Sequence, residues 1–322
     1  MRLGLITDEV GQDLEEAIAL AQEFGIRDLE LRTVWGRNVV DLTLAQVDQV
    51  RRRLEQVGMR VASVAGPVLK CPWPSPHPRG AQTGEGENTG GGTAVPVDLH
   101  GGPAEASVEE HTGRLFQREL ELAQAWDAPF IRIFSFWRQV GPTVLTDDEE
   151  LDEIARWVAP LLPAAAAAGR QVLLENEYAC SIGSGQDSRR LLERPELTGL
   201  GLIWDPGNAF WVGERPYPDG YEQVRRVDEG RRVRHVHVKD ARRTDRPEQP
   251  YEWVAVGEGE IDYPGQFAAL ARDGFDGVLS LETHWDEPRL SGVERSRRCL
   301  QGMEQALRQA GLRRDGDGEW SW

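Results

Sequence analysis

Little in this chain could cross-link it, hold it in a membrane or draw it to a polyanion. Cysteine is scarce: Cys71, Cys180 and Cys299 are the only three in 322 residues, an odd and irregularly spaced set. That argues against a disulfide framework and for reduced thiols in a cytoplasmic protein. No apolar run approaches the roughly 18 residues of a spanning helix, so no membrane association is expected. The opening MRLGLITDEV lacks a basic segment followed by a long apolar stretch, and no secretory signal is read there. Positive charge is also in short supply: 37 Lys and Arg against 54 Asp and Glu leave a formal net charge of −17. Such a surface repels phosphate backbones, and nucleic acid is not expected as a partner. Finally, no G-x-G-x-x-G follows the first strand-like run, where ITDEVGQD stands instead. An open dinucleotide-binding sheet is therefore not expected.

What is present is a regular alternation of strand and helix. Strand-like runs fall at Leu3–Ile6, Leu29–Leu31, Arg60–Ala65, 129–137, 171–175, 199–205, 233–238 and 277–282. Segments with apolar residues at helical spacing lie between them: Asp13–Phe24, Leu44–Val57, Val108–Trp126, Asp147–Ala168, Asp187–Glu193, Tyr221–Glu229, Pro264–Arg272 and Val293–Ala310. Gly25 and Gly58 follow two of these as stop signals, and Thr146 with Glu149 suggests a capping box before the fourth. Eight such units predict an α/β fold, a single-domain (β/α)8 TIM barrel over residues 1–311. The rhythm breaks once, after strand 3. Residues 75–105, including PSPHPRGAQTGEGENTGGG, have almost no apolar periodicity and read as a flexible insertion in the loop between strand 3 and its helix. Residues 241–263 read as a second long loop. Residues 312–322, LRRDGDGEWSW, read as a ragged C-terminal tail.

Four of the strand-like runs end in a residue that can ligate a metal: VLLENE, LIWDPGN, VRHVHVKD and VLSLETHW. The residues are Glu175, Asp205, His237 and Glu282, separated by 30, 32 and 45 positions, roughly one strand–helix unit each. Parallel strands bring their C-terminal ends to one face, so these groups converge there. Three carboxylates and one imidazole suit a hard divalent cation such as Mn²⁺, Mg²⁺, Co²⁺ or Zn²⁺. Glu177 lies two positions after Glu175, and His235 two before His237. Parity alone leaves the choice within each pair open.

The strings L-E-N at 174–176, D-P-G-N at 205–208, H-V-K-D at 237–240, G-E-G-x-I-D at 257–262 and L-E at 281–282 occur in one order and spacing. With the N-terminal LGLITDEVGQDLEEAI, they resemble the sugar-phosphate isomerase/epimerase barrels, the xylose isomerase-like or AP endonuclease family 2 type. The resemblance implies one divalent metal ion held by Glu175, Asp205, His237 and Glu282. In ketose 3-epimerases of this type two metal-bound Glu also move protons, roles that fall here to Glu175 and Glu282. Those enzymes carry a His three residues after the metal Asp, where this chain has Asn208. They also carry an Arg six residues past the metal His, which Arg243 matches. Lys239, Glu177, Lys70 and Trp137 are further candidates for substrate contact, and Trp35, Trp73, Phe134, Trp204 and Trp211 offer other rings near strand ends. Glu30 and Arg32, at the end of strand 2, read as a buried ion pair or as substrate contacts. Nucleases of the superfamily need extra His ligands after strands 3 and 4. The corresponding VAGPVLK and IFSFWR have none.

The resemblance therefore implies a metal-dependent isomerase or epimerase acting on a small keto-sugar or related carbohydrate substrate. The alternatives are a dehydratase of a keto-inositol or dehydroshikimate-like compound, and a sugar-binding barrel without catalysis. Barrels of this type often pair, so a homo-oligomer is possible on this reading.

Overall fold

In the computed structural model, residues 1–74, 108–139, 141 and 144–322 are described. Eight parallel strands close into a barrel: β1 (Arg2–Ile6), β2 (Asp28–Leu31), β3 (Arg60–Val64), β4 (Phe130–Ile133), β5 (Gln171–Glu175), β6 (Gly201–Trp204), β7 (Val233–Val238) and β8 (Val278–Leu281). Each pairs with its neighbours in sequence, and β8 pairs back onto β1. The expected (β/α)8 architecture is thus the observed one. The insertion expected at 75–105 lies outside the described residues. Among those described, no helix is long and apolar enough to cross a membrane, and all three cysteines are unbridged.

The helices form where capping chemistry and apolar spacing agree. Thr43 and Gln46 make a reciprocal capping box at the start of Leu44–Val57, and Gly58 ends that helix at φ 70°, a left-handed position that favours glycine. Ser291 and Glu294 do the same for the last helix, Gly292–Gln309.

Four expectations need correction. The stretch Asp147–Ala168 is two helices, Asp148–Val158 and Leu161–Ala167. Pro160 has no N–H to continue the ladder, whereas Pro163 falls in a first turn that tolerates it. The cap is Asp147, whose side chain accepts from Glu150 N–H; Thr146 instead donates its hydroxyl to Ser181 O. The loop 241–263 contains a hairpin, Asp240–Arg243 paired antiparallel with Tyr251–Val254. The C-terminal residues are not ragged: Arg313–Arg314 pairs with Trp320–Ser321. Trp320 is buried, and it exchanges backbone hydrogen bonds with Met1 at the opposite end of the chain.

Two predictions come from this frame. Trp320→Ala removes a buried indole and should cost about 3 kcal/mol in urea unfolding; an unchanged midpoint would show the tail to be dispensable. The second concerns Glu214, which accepts the Gly185 and Gln186 N–H groups at 2.6 and 3.3 Å. Burial pushes its carboxyl up to about 7 against those two bonds. The folded chain therefore holds this proton to higher pH than the unfolded chain does. Its stabilising contribution is complete below the ordinary carboxylate range and is lost as pH rises toward about 7. The difference in unfolding free energy, wild type minus Glu214→Gln, should fall by roughly 2 kcal/mol between about pH 5 and pH 8. A flat difference would refute the assignment.

Candidate functional site

Strand register brings the four expected ligands together. Glu175 is the last residue of β5, Asp205 follows β6, His237 lies in β7 opposite Ser280 of β8, and Glu282 follows β8 with its N–H on Val238 O. All four are buried, and one ligating atom from each lies within 4.8 Å of the others. His237 Nδ1 stands 3.2 Å from Glu175 Oε1, 3.4 Å from Glu282 Oε2 and 3.8 Å from Asp205 Oδ2. That nitrogen makes no hydrogen bond, and Asp205 Oδ2 is met only by the Lys239 ammonium, at 2.9 Å. Donors bonded about 2.1 Å from one ion stand roughly 3–3.5 Å apart at ordinary angles. The unpartnered nitrogen, the three carboxylates and their spacing all fit a divalent cation.

The surroundings orient each ligand. Glu30 Oε2 accepts from Nε2 of both His237 and His235 at 3.0 Å. The Glu30 carboxylate can only accept, so Nε2 of His237 carries a hydrogen and Nδ1 is the nitrogen turned to the three other carboxylates. Burial works against a charge on the ring, but Glu30 and Glu175 outweigh it and raise the imidazole well above its ordinary range. A divalent cation bound at Nδ1 would therefore take the place of a proton. Asp205 uses one oxygen to cap the short helix Pro206–Trp211, accepting Asn208 N–H at 2.9 Å, which leaves the other facing His237. Asn176 fixes the Asp205 backbone from both sides. Arg132 bonds Glu175 at 3.0 Å, and Arg32 bonds Glu282 at 3.1 Å. His284 lies 3.2 Å from Glu282. Burial works to raise the Glu175 carboxyl, but His237 and Arg132 outweigh it and hold it at about 2. At Asp205 burial prevails over Lys239 and the carboxyl is pushed up to about 7.

The other candidates divide. Lys239 is buried with its ammonium 2.7 Å from Glu282 Oε2 and 2.9 Å from Asp205 Oδ2, inside the ligand set. Gly207 makes room for it: a Cβ there would lie 2.6 Å from Lys239 Cγ. Asn208 sits behind the ligands, its amide donating to Glu175 Oε1 at 3.3 Å and to Asn176 O at 2.8 Å. Glu177 is buried and pairs with Lys70 at 3.1 Å, and Lys70 lies over the Phe134 ring. Trp137 is half-buried and forms a backbone bridge with Cys180. Arg243 is out on the hairpin, exposed and paired with Glu260 at 2.7 Å. The Glu30–Arg32 pair does not form. Their side chains separate, Glu30 to the two histidines and Arg32 to Asp8, Glu9 and Glu282. Alternation on a strand would have signalled Glu30 as an interior carboxylate. Its partner, some 200 residues away, left no local trace.

A family model described as xylose isomerase-like TIM barrel matches residues 18–303. An inosose dehydratase of Lacticaseibacillus casei is 21% identical over 161 residues, which cover 46% of this chain and 51% of that protein. The chain spans about half the length of the curated relatives it matches. The solved structure of the IolI protein with a bound zinc atom superposes with a TM-score of 0.67 at 14% identity, over 97% of this chain and 98% of the other. An L-ribulose 3-epimerase gives 0.62 at 15% identity, covering 96% and 97%. At these identities the structural likenesses speak for the fold.

Glu30→Gln removes the charge that fixes the His237 tautomer. It should weaken divalent-metal affinity by about 10–100-fold in calorimetric titration, with the circular dichroism spectrum unchanged. An unaltered affinity would mean that Nδ1 of His237 is not a ligand.

Proposed function

Because this chain belongs to the xylose isomerase-like TIM barrel family, we propose that it is a divalent-metal-dependent isomerase or epimerase. On this reading it moves a proton at the carbon next to the carbonyl of a small polyhydroxylated substrate. The observation that carries the reading is that two separately oriented carboxylates, Glu175 and Glu282, both approach one imidazole nitrogen, at 3.2 and 3.4 Å. A cation held by Glu175, Asp205, His237 and Glu282 would polarise the carbonyl oxygen and offset the negative charge that develops beside it.

The remaining chemistry belongs to side chains. Arg132 and Asn208 hold Glu175, while Arg32 and His284 hold Glu282, so each carboxylate meets the substrate in a set direction. One removes the proton as general base. The other must enter the step protonated from solvent. It gives its own proton to the opposite face of the same carbon for epimerisation or to the neighbouring carbon for isomerisation, while the first keeps the proton it removed and releases it to solvent after turnover.

A second reading, dehydration, is favoured by two observations. The curated relative named above is an inosose dehydratase, and Lys239 places an ammonium beside Glu282. After the same proton removal, Lys239 would give a proton to a departing hydroxyl two carbons from the carbonyl oxygen-bearing centre. A sugar-binding barrel without catalysis has less support, since Glu175, Asp205, His237 and Glu282 converge in one buried group that could hold a metal ion.

Incubation of the Mn²⁺-loaded protein with ketoses and with 2-keto-myo-inositol in D₂O separates these readings. Deuterium at the carbon next to the carbonyl supports isomerisation or epimerisation. Loss of water with an absorbing enone supports dehydration, and neither outcome would sink both. Glu175→Gln and Glu282→Gln should each lower kcat by about 10²–10⁴-fold; normal turnover in both would remove the proton-transfer assignment.

A further inference from the structure

Lysine is almost absent from this chain. Lys70 and Lys239 are the only two, and every other member of the 37 Lys and Arg is an arginine. Both lysines stand at the ligand end of the barrel, Lys70 on Glu177 and Lys239 on Asp205 and Glu282. The two kinds of cation hold an acid differently. A guanidinium is a planar fork that grips both oxygens of one carboxylate, as Arg53 grips Glu15 at 2.7 and 2.6 Å. An ammonium is a single point charge on a flexible stem, so rotation of that stem releases every oxygen it holds.

The oxygens that Lys239 holds are the ones the candidate ligands turn inward. Glu282 gives Oε1 to Arg32 at 3.1 Å. Its Oε2 faces His237 Nδ1 at 3.4 Å and the Lys239 ammonium at 2.7 Å. Asp205 gives Oδ1 to the Asn208 N–H. Its Oδ2 faces Nδ1 at 3.8 Å and the ammonium at 2.9 Å. An ammonium and a divalent cation on the same two oxygens would stand a few ångströms apart and repel each other.

Only the side chain can relieve that repulsion. The Lys239 backbone is pinned by Tyr263, whose hydroxyl accepts the Lys239 N–H at 3.1 Å and donates to its C=O at 2.6 Å. A second resting place for the charge is adjacent. The ammonium lies 5.4 Å from the centre of the Trp253 ring, within the roughly 6 Å of a cation–π contact. Trp253 also lines an open cavity of about 240 Å³, so this ring borders both the ligand set and open space.

We propose, on the reading of the site as one that holds a divalent cation, that Lys239 is the internal competitor for that cation. Its ammonium neutralises Asp205 Oδ2 and Glu282 Oε2, and releases them by turning toward Trp253 when the cation binds. The lysine thereby sets the metal affinity of the site, and the buried acids keep a positive charge beside them throughout. In the cation-bound protein the ammonium is free of the ligand oxygens and available to a substrate, as dehydration requires.

Two measurements on the full-length protein test this. Reductive methylation with formaldehyde and cyanoborohydride reads the two lysines separately by peptide mass spectrometry. The Lys239 side chain is 1% exposed and that of Lys70 is 37% exposed. In chelator-treated, dialysed protein Lys239 should label slowly and Lys70 readily. Saturating Mn²⁺ should raise the labelling rate of Lys239 by about tenfold or more and leave that of Lys70 as it was. Lys239→Met keeps an unbranched stem and removes the charge. It should tighten the Kd for Mn²⁺ in calorimetric titration by about tenfold or more, the opposite of what damage to the fold would do. Lys239 labelling unmoved by bound Mn²⁺, or an unaltered or weaker Kd in a Lys239→Met protein of wild-type circular dichroism, would overturn the inference. Labelling of the wild-type protein decides the matter where the variant fails to fold. If Mn²⁺ binds both proteins alike, only this inference falls; if it binds neither, the proposed function falls with it.

Discussion

Five carboxylates, Glu30, Glu175, Glu177, Asp205 and Glu282, are buried within one end of this barrel. Taking a carboxylate out of water costs several kcal/mol unless something of opposite charge or a set of donors replaces the solvent. Here each has a dedicated partner. Glu30 has the two histidines, Glu175 has Arg132, Glu177 has Lys70, Asp205 has Lys239, and Glu282 has Lys239 and Arg32. The site's other properties follow from this balance. The cations are committed to the protein's own acids, the orientation of each acid is set by the cation that holds it, and one imidazole nitrogen is left facing three carboxylates without a hydrogen bond.

The same balance explains why short strings in the sequence travel together. In D-P-G-N, Asp205 caps its own helix with one oxygen and offers the other to the site, and Gly207 leaves the space through which Lys239 reaches it. In H-V-K-D, His237 and Lys239 both enter the cage, while Asp240 turns away and accepts the N–H groups of Gly257, Gly259 and Ile261. Those three belong to G-E-G-x-I-D. A Cβ on Gly259 would come within 2.1 Å of the Asp240 carboxylate, so only glycine permits that approach. The strings are parts of one interlocked structure. A change in any of them reaches the ligands through a neighbour.

Much of this was legible in the sequence because it depends on periodicity. Strand length, strand order and the position of a polar residue at the end of an apolar run are local properties, and parallel pairing converts them directly into convergence. What was not legible depends on depth and on distant partners. Glu175 and Glu177 share a parity, as do His235 and His237, and both members of each pair are buried. Which one joins the cage is decided by Lys70 taking Glu177 and by Glu30 lying between the histidines, contacts that span 107 and more than 200 residues. The hairpin was hidden for a different reason. Its strands, DARR and YEWV, are short, and the first is almost wholly charged, so no alternation of apolar and polar residues announces it. The break at Pro160 was the reverse case, a strong local signal overlooked within a long helical pattern.

This contrast follows the division of labour in a (β/α)8 barrel. Residues at strand ends are fixed by the barrel's own register, whereas the loops above them vary without disturbing it. Proton removal next to a carbonyl asks only for the strand-end set, which is why one cage is compatible with isomerisation, epimerisation and dehydration alike. The outcomes diverge in what happens to the resulting anion. Return of a proton needs a second carboxyl group, and on the proposed reading Glu175 and Glu282 would be the pair. Loss of hydroxide needs a proton donor beside the leaving group, and Lys239 is the group on hand, 2.7 Å from Glu282. The same ammonium sits 5.4 Å from the centre of the Trp253 ring, on the loop hairpin above the strand ends. A group fixed by the barrel's register and a ring carried by a variable loop are thus brought together at one contact, between a strand-end lysine and a loop tryptophan.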